Sequence, residues 1–192
     1  MRFTNISDHP GKDESSSRKN ALEMLLDCHE RIRHFMQLSR TLAHAEFAPS
    51  SEIAETAEAI ARYFSIALPL HEADENETLF PRLKVALIEG NLVRVAAETM
   101  VEQHKAIDEL AADLLSICYS LNRHPEALPT LARRIEDVTR ALDKIFDAHL
   151  KLEETVIFPA ALELLTAEQL EEMAHEMQGR RQPAVHKLHL VN

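Results

Sequence analysis

His71-Glu72-Ala73-Asp74-Glu75-Asn76-Glu77-Thr78-Leu79-Phe80-Pro81 and His149-Leu150-Lys151-Leu152-Glu153-Glu154-Thr155-Val156-Ile157-Phe158-Pro159 state one phrase twice, His-x-x-x-Glu-x-x-x-x-Phe-Pro. Residues four apart on a helix lie on one face, a turn apart, so each copy aims an imidazole and a carboxylate at the same point. One copy is ordinary in a chain with 11 His and 32 acidic residues; the recurrence with the same Phe-Pro stop demands an explanation.

The surroundings of both copies read as helix. Ala, Leu and Glu dominate, only 3 Gly occur and Trp is absent, which favours helix nearly throughout. No alternating β-branched run reads as a strand. The first helix is predicted from near Arg18, capped by Ser17, to about His44, with Leu22, Leu25, Leu26, His29, Ile32 and Met36 on one stripe. After the loop holding Pro49, the second carries Ile53, Ala57, Ile60, Phe64, Leu68, His71, Glu75 and Leu79, with a kink or local break expected at Pro69, just before His71, and Pro81 expected to be tolerated within one further turn or to kink the helix again. Glu89-Gly90-Asn91 is the expected turn. The third helix, roughly Leu92 to Leu121, turns Met100, His104, Ile107, Asp108 and Leu114 inward, and the fourth, from near Pro129, turns Leu142, Phe146, His149, Leu152 and Glu153 inward. A short fifth helix opens on the capping box Thr166-x-x-Gln169 and ends at Gly179.

The expectation is an all-α, up-down-up-down four-helix bundle with a short fifth C-terminal helix. Residues 1–17 form a leader, 18–178 the bundle domain and 179–192 a tail carrying His186-x-x-His189. The bundle reads as two similar hairpins, because His29-x-x-Ile32 and His104-x-x-Ile107 also echo each other.

A net charge of −11 repels phosphate backbones and excludes nucleic acid as a direct partner. No apolar run is long enough for a bilayer and no signal peptide is evident, so no membrane partner is expected and the expected location is cytoplasmic. Cys28 and Cys118 lie far apart, without a Cys-x-x-Cys, and read as buried reduced thiols.

With the four stripes inward, His29, His71, His104 and His149 meet in one layer with Glu75 and Glu153. Burying four imidazoles and two carboxylates in an apolar core is costly without an organiser, and a metal centre is the obvious one. Nitrogen and oxygen ligands without thiolate suit Fe, Mn or Zn. Six protein ligands overfill one ion, so a dinuclear site follows. Glu72, beside His71, is a further candidate ligand, and Asp108 a weaker one. Glu77 and Glu154 are expected to face water, as are His34, His44, His124 and His175. The rival Glu-x-x-His pattern of ferritin-like bundles occurs only as Glu172-x-x-His175, on the wrong helix.

These residues resemble the hemerythrin-like, or HHE cation-binding, family over about residues 18 to 178. His29-x-x-Ile32, His71-Glu72-x-x-Glu75 with Leu79-Phe80-Pro81, His104, and His149-x-x-x-Glu153 with Phe158-Pro159 carry the likeness. The resemblance implies a four-helix bundle with two non-haem, oxo- or hydroxo-bridged Fe ions, Glu75 and Glu153 bridging, and the four His as terminal ligands. Oxygen-carrying members have a second His where Asp108 stands, and some relatives use a Glu placed as Glu72 is. A carboxylate there favours ferric iron and argues against reversible oxygen carriage. The expected function is binding or sensing of O2, NO or iron. A di-iron oxidase or peroxidase, or a metal-free structural bundle, are the alternatives. Because Leu150 stands where Glu72 does in the other copy, two unequal metal sites are expected, with the extra carboxylate on the His71 side.

Overall fold

The computed structural model describes residues 20–86 and 91–182. The expected leader, Glu89-Gly90 and His186-x-x-His189 lie outside these residues. Helix α1 spans Ala21–Ala43. Its cap is Asn20 rather than Ser17. The Asn20 side chain accepts from the Glu23 N–H, and Glu23 reaches back to the Asn20 N–H. That reciprocal pair satisfies two donors the helix leaves open, which sets the start at Ala21.

The second rod is one path through α2 (Ser50–Arg62), a π turn π1 (Tyr63–Ala67), α3 (Leu68–Ala73), a second π turn π2 (Asp74–Leu79) and α4 (Phe80–Ala86). The fourth rod repeats this, with α6 (Leu128–Leu152), π3 (Glu153–Ile157) and α7 (Phe158–Leu164). The kink or break expected at Pro69 is therefore corrected, while the helix runs on through Pro81 and Pro159 as one of the expected outcomes. Leu68, Phe80 and Phe158, each directly before a proline, keep right-handed helical dihedrals, and their N–H groups bond the carbonyls five residues back, of Tyr63, Glu75 and Glu153. A proline ring crowds the carbonyl four residues earlier and offers no N–H. One extra residue in the turn moves that carbonyl aside, and the helix continues. The Glu-to-Phe spacing in the repeated phrase is thus the span of a π hydrogen bond.

Helix α5 (Leu92–Arg123) is capped by Asn91, whose side chain accepts from the Val93 N–H. Helix α8 (Ala167–Arg181) opens on the expected Thr166–Gln169 box. It does not end at Gly179. A glycine is tolerated within an α-helix, and Arg180 and Arg181 continue the last turn, so neither belongs to a tail.

Among the described residues there is no strand. Helix α1 packs on α2 and α6, and α5 packs on the same two, closing a four-helix ring; α8 lies across α1 and π2. No described helix is long and apolar enough to cross a membrane. The apolar interior is split in two. One cluster includes Ile32, Met36, Ile60, Leu68, Ile107, Leu142 and Phe146. The other includes Leu22, Leu25, Leu79, Phe80, Met100, Ile157 and Phe158. In every rod the His and Glu positions fall between these clusters. Leu26, placed on the inner stripe by periodicity, is 43% exposed instead. Cys28 and Cys118 are buried and unpaired with one another.

Candidate metal centre

His29 comes from α1, His71 from α3, Glu75 from π2, His104 from α5, His149 from α6 and Glu153 from π3. All six are buried, none more than 3% exposed. Their polar atoms fall into two groups, each compact enough to surround one cation. The first is His29, His71, Glu75 and Glu153; the second is Glu75, His104 and His149. Glu75 belongs to both, with Oε1 3.2 Å from His71 Nε2 and Oε2 3.0 Å from His104 Nε2. Glu153 Oε2 lies 2.9 Å from His29 Nε2 and 3.7 Å from His149 Nε2. His104 and His149 approach each other at 3.3 Å through their Nε2 atoms.

This polar layer is not satisfied by the protein. Both oxygens of Glu75, both of Glu153, both nitrogens of His71 and Nε2 of His29 are buried without an aligned hydrogen-bond partner. His29 Nε2 and Glu153 Oε2 are close, but their geometry is not that of a hydrogen bond. Each such group costs about 1–3 kcal/mol when left unpaired. Cations bonded to these inward lone pairs satisfy them together, so the donor set fits a metal pair.

Burial drives the titration of the metal-free layer. It lowers His71 to about 4 and His149 to about 3, with neighbouring imidazoles adding to the effect. It lowers His29 as well, against the pull of Glu154. Burial also pushes Glu153 well above the carboxylate range, helped by the Glu75 charge. Glu75 goes the other way: burial raises it, but the surrounding His71, His104 and His149 outweigh that and lower it. His104 is raised, because Glu75 and Glu72 overcome its own burial. The layer thus favours neutral imidazoles at His29, His71 and His149 and the charged form at His104.

Glu72 enters neither compact group. It is 8% exposed, its Oε1 has no partner, and burial with the Asp108 and Glu75 carboxyls raises it to about 8. Its charged neighbours are His104, Asp108 and Glu75. The extra carboxylate therefore stands on the His104 side and not on the His71 side, since a residue one step along a helix from His71 points about a quarter-turn away, toward α5. Asp108 is exposed.

A set of partners behind the ligands was not visible from the stripes. Glu154 does not simply face water: its Oε1 sits 2.8 Å from His29 Nδ1 and accepts from Arg33 Nη2 at 2.7 Å. Asn76 lies 3.2 Å from His104 Nδ1, and Gln103 Oε1 lies 3.1 Å from His149 Nδ1. Asn76 and Glu154 occupy the same place in the repeated phrase, directly after the shared Glu. The Phe of each copy is placed alike: Phe158 stacks on His29 at 5.3 Å and Phe80 faces His104 at 6.4 Å. Each copy therefore serves the lone His of the opposite hairpin. The repeat carried this signal in its sixth and tenth positions. His34, His44, His124 and His175 are exposed, as expected, and Glu77 is exposed while pairing with Arg180 at 3.3 Å.

Around π2, Asp74 is fully buried beside Glu75. Arg180 bonds its Oδ1 at 2.9 Å and Arg181 its Oδ2 at 2.6 Å. Arg180 also donates to Thr78 Oγ1 at 2.7 Å, so α8 pins the turn that carries Glu75.

A family model described as the hemerythrin HHE cation binding domain matches this chain twice, over residues 20–115 and 95–188. The chain belongs to this family. The first hemerythrin match contains His29, His71, Glu75 and His104, and the second contains His104, His149 and Glu153. The hemerythrin likeness extends to a protein of Haemophilus influenzae, described as an uncharacterized protein. It is 32% identical over 168 residues, covering 84% of this chain and 90% of that one.

Proposed function

We propose that this hemerythrin-like chain holds two bridged iron ions and uses them to bind or sense O2, NO or iron. His29 and His71 would serve one ion, His104 and His149 the other, with Glu75 shared and Glu153 completing the first. Mn or Zn would fit the same donors. The observation that carries the reading is Glu75, whose two oxygens address His71 and His104 separately from inside a layer of unpaired buried donors. Bound iron would supply a redox-active site for a diatomic ligand; the chain's part is to orient the imidazoles and to exclude water with the two flanking apolar clusters.

Metal analysis after aerobic, chelator-free purification tests this. About two irons per chain are expected, and Glu75→Gln is expected to lose both. In metal-free form the same variant should be as stable as the parent or more so, since a buried charge is removed. A parent protein that takes up no transition metal would falsify the reading.

A further inference from the structure

His29 and His104 hold matching places in the two hairpins, and each is met by the residue following the shared Glu of the opposite copy. The partners differ. Asn76 presents its amide nitrogen, Nδ2, to His104 Nδ1 at 3.2 Å, so as placed it offers that ring no acceptor. Glu154 presents a carboxylate to His29 Nδ1 at 2.8 Å. In both rings Nε2 is the nitrogen that faces the shared carboxylates, at 2.9 Å for His29 and 3.0 Å for His104. Nδ1 is therefore the outward nitrogen in both rings: that of His29 can donate to the Glu154 carboxylate when Nε2 binds a cation, whereas that of His104 gains an acceptor only if the Asn76 amide turns its oxygen inward.

The other pair differs too. Gln103, directly before His104, supplies an amide to His149 Nδ1 at 3.1 Å. Its counterpart before His29 is Cys28, whose sulfur is taken by Arg31 Nη2 at 3.0 Å, and His71 Nδ1 has no partner. One half of the layer thus has a carboxylate behind it and the other has two amides. Arg33 holds that carboxylate in place at 2.7 Å.

A carboxylate accepting from the outer N–H makes an imidazole a stronger donor than an amide does. We propose that Glu154 is a positioning residue that makes the His29–His71 half the tighter, first-filled part of the metal pair. This rests on the metal-centre reading above and adds an order of filling to it.

The matching sixth positions offer a reciprocal test. Zn2+ is titrated into metal-free protein against a chromogenic chelator. The parent should bind in two steps separated by about tenfold or more in affinity. Glu154→Gln should weaken the first step by about tenfold and merge the two, while Asn76→Asp should strengthen the second. In iron-loaded protein, Glu154→Gln should raise the reduction potential and Asn76→Asp should lower it. A merely structural role for Glu154 would not move the potential in opposite directions in the two variants. If Glu154→Gln folds poorly, Asn76→Asp decides alone. Unchanged steps and potentials overturn the inference. A parent that binds neither Zn2+ nor iron overturns the metal-centre reading instead.

Discussion

Glu72 shows how much a single side chain's surroundings decide. Exposed, it would be an ordinary helix acid; here burial and the carboxyls of Asp108 and Glu75 hold its pKa near 8, against an ordinary 4.5. Between those values the folded metal-free chain keeps a proton that the unfolded chain has released. Stability from this group is complete below pH 4.5 and is lost as pH rises toward 8. The difference amounts to roughly 5 kcal/mol at most. Denaturant unfolding of metal-free protein at several pH values should therefore show Glu72→Gln diverging from the parent as pH climbs, with the variant more stable at pH 8. Parallel curves would show that Glu72 is charged and solvated in the folded chain. Asp74 is enclosed still more completely, and burial raises it too, although a guanidinium bonds each of its oxygens.

At the scale of elements, the three π turns and α8 do the positioning. Each π turn sits where a proline would otherwise disrupt the helix, and two of them begin at or beside a shared glutamate. A π turn alone is a soft element, and π2 is braced by α8 through Asp74, Thr78 and Arg82. Arg82 bonds Glu176 at 2.7 Å, and Thr78 donates to the same residue at 3.0 Å. Arg181→Ala leaves one oxygen of a buried Asp74 without its partner and should cost about 2 kcal/mol, with Arg180 still in place. Faster hydrogen exchange in α8 and π2 should accompany the loss, and Asp74→Asn in the same chain should recover part of it. Exchange confined to the C-terminal turn of α8 would mean that the helix does not brace the site. Helix α8 packs on π2 of the first copy and bonds its Asp74 and Thr78, so it also breaks the likeness of the two hairpins.

For the whole molecule, the ligand layer separates two apolar clusters that each span several helices. Removing metal should therefore leave the bundle helical but less stable. Treatment with a chelator is expected to keep most far-UV helicity and lower the melting temperature. The loss is about 4 kcal/mol where free metal had stood a thousandfold above its dissociation constant, and it reverses when metal is restored. A melting temperature indifferent to chelation would show that the layer satisfies itself.

The helical class, the two hairpins and the six inward His and Glu positions were legible in the sequence because helical period and apolar spacing are local properties. A phrase repeated with its stop signal also survives without coordinates. Four matters depended on the tertiary structure. Periodicity does not say how wide a turn is, so Pro69 read as a kink or break and none of the three π turns before the prolines was foreseen. It does not say what crosses from another rod, so Glu154, Asn76 and Gln103 went unseen behind their histidines, and Arg180 and Arg181 read as tail residues. Which of two helices Glu72 faces depends on a quarter-turn of rotation that packing fixes. The division of the six His and Glu side chains into two groups around Glu75 is likewise a matter of distances between helices. The sequence by itself determined which side chains must be buried together, because an apolar stripe leaves them no other place. Only the packed structure decided which atoms face one another, because hydrogen bonds and metal bonds depend on ångström separations between residues far apart in the chain.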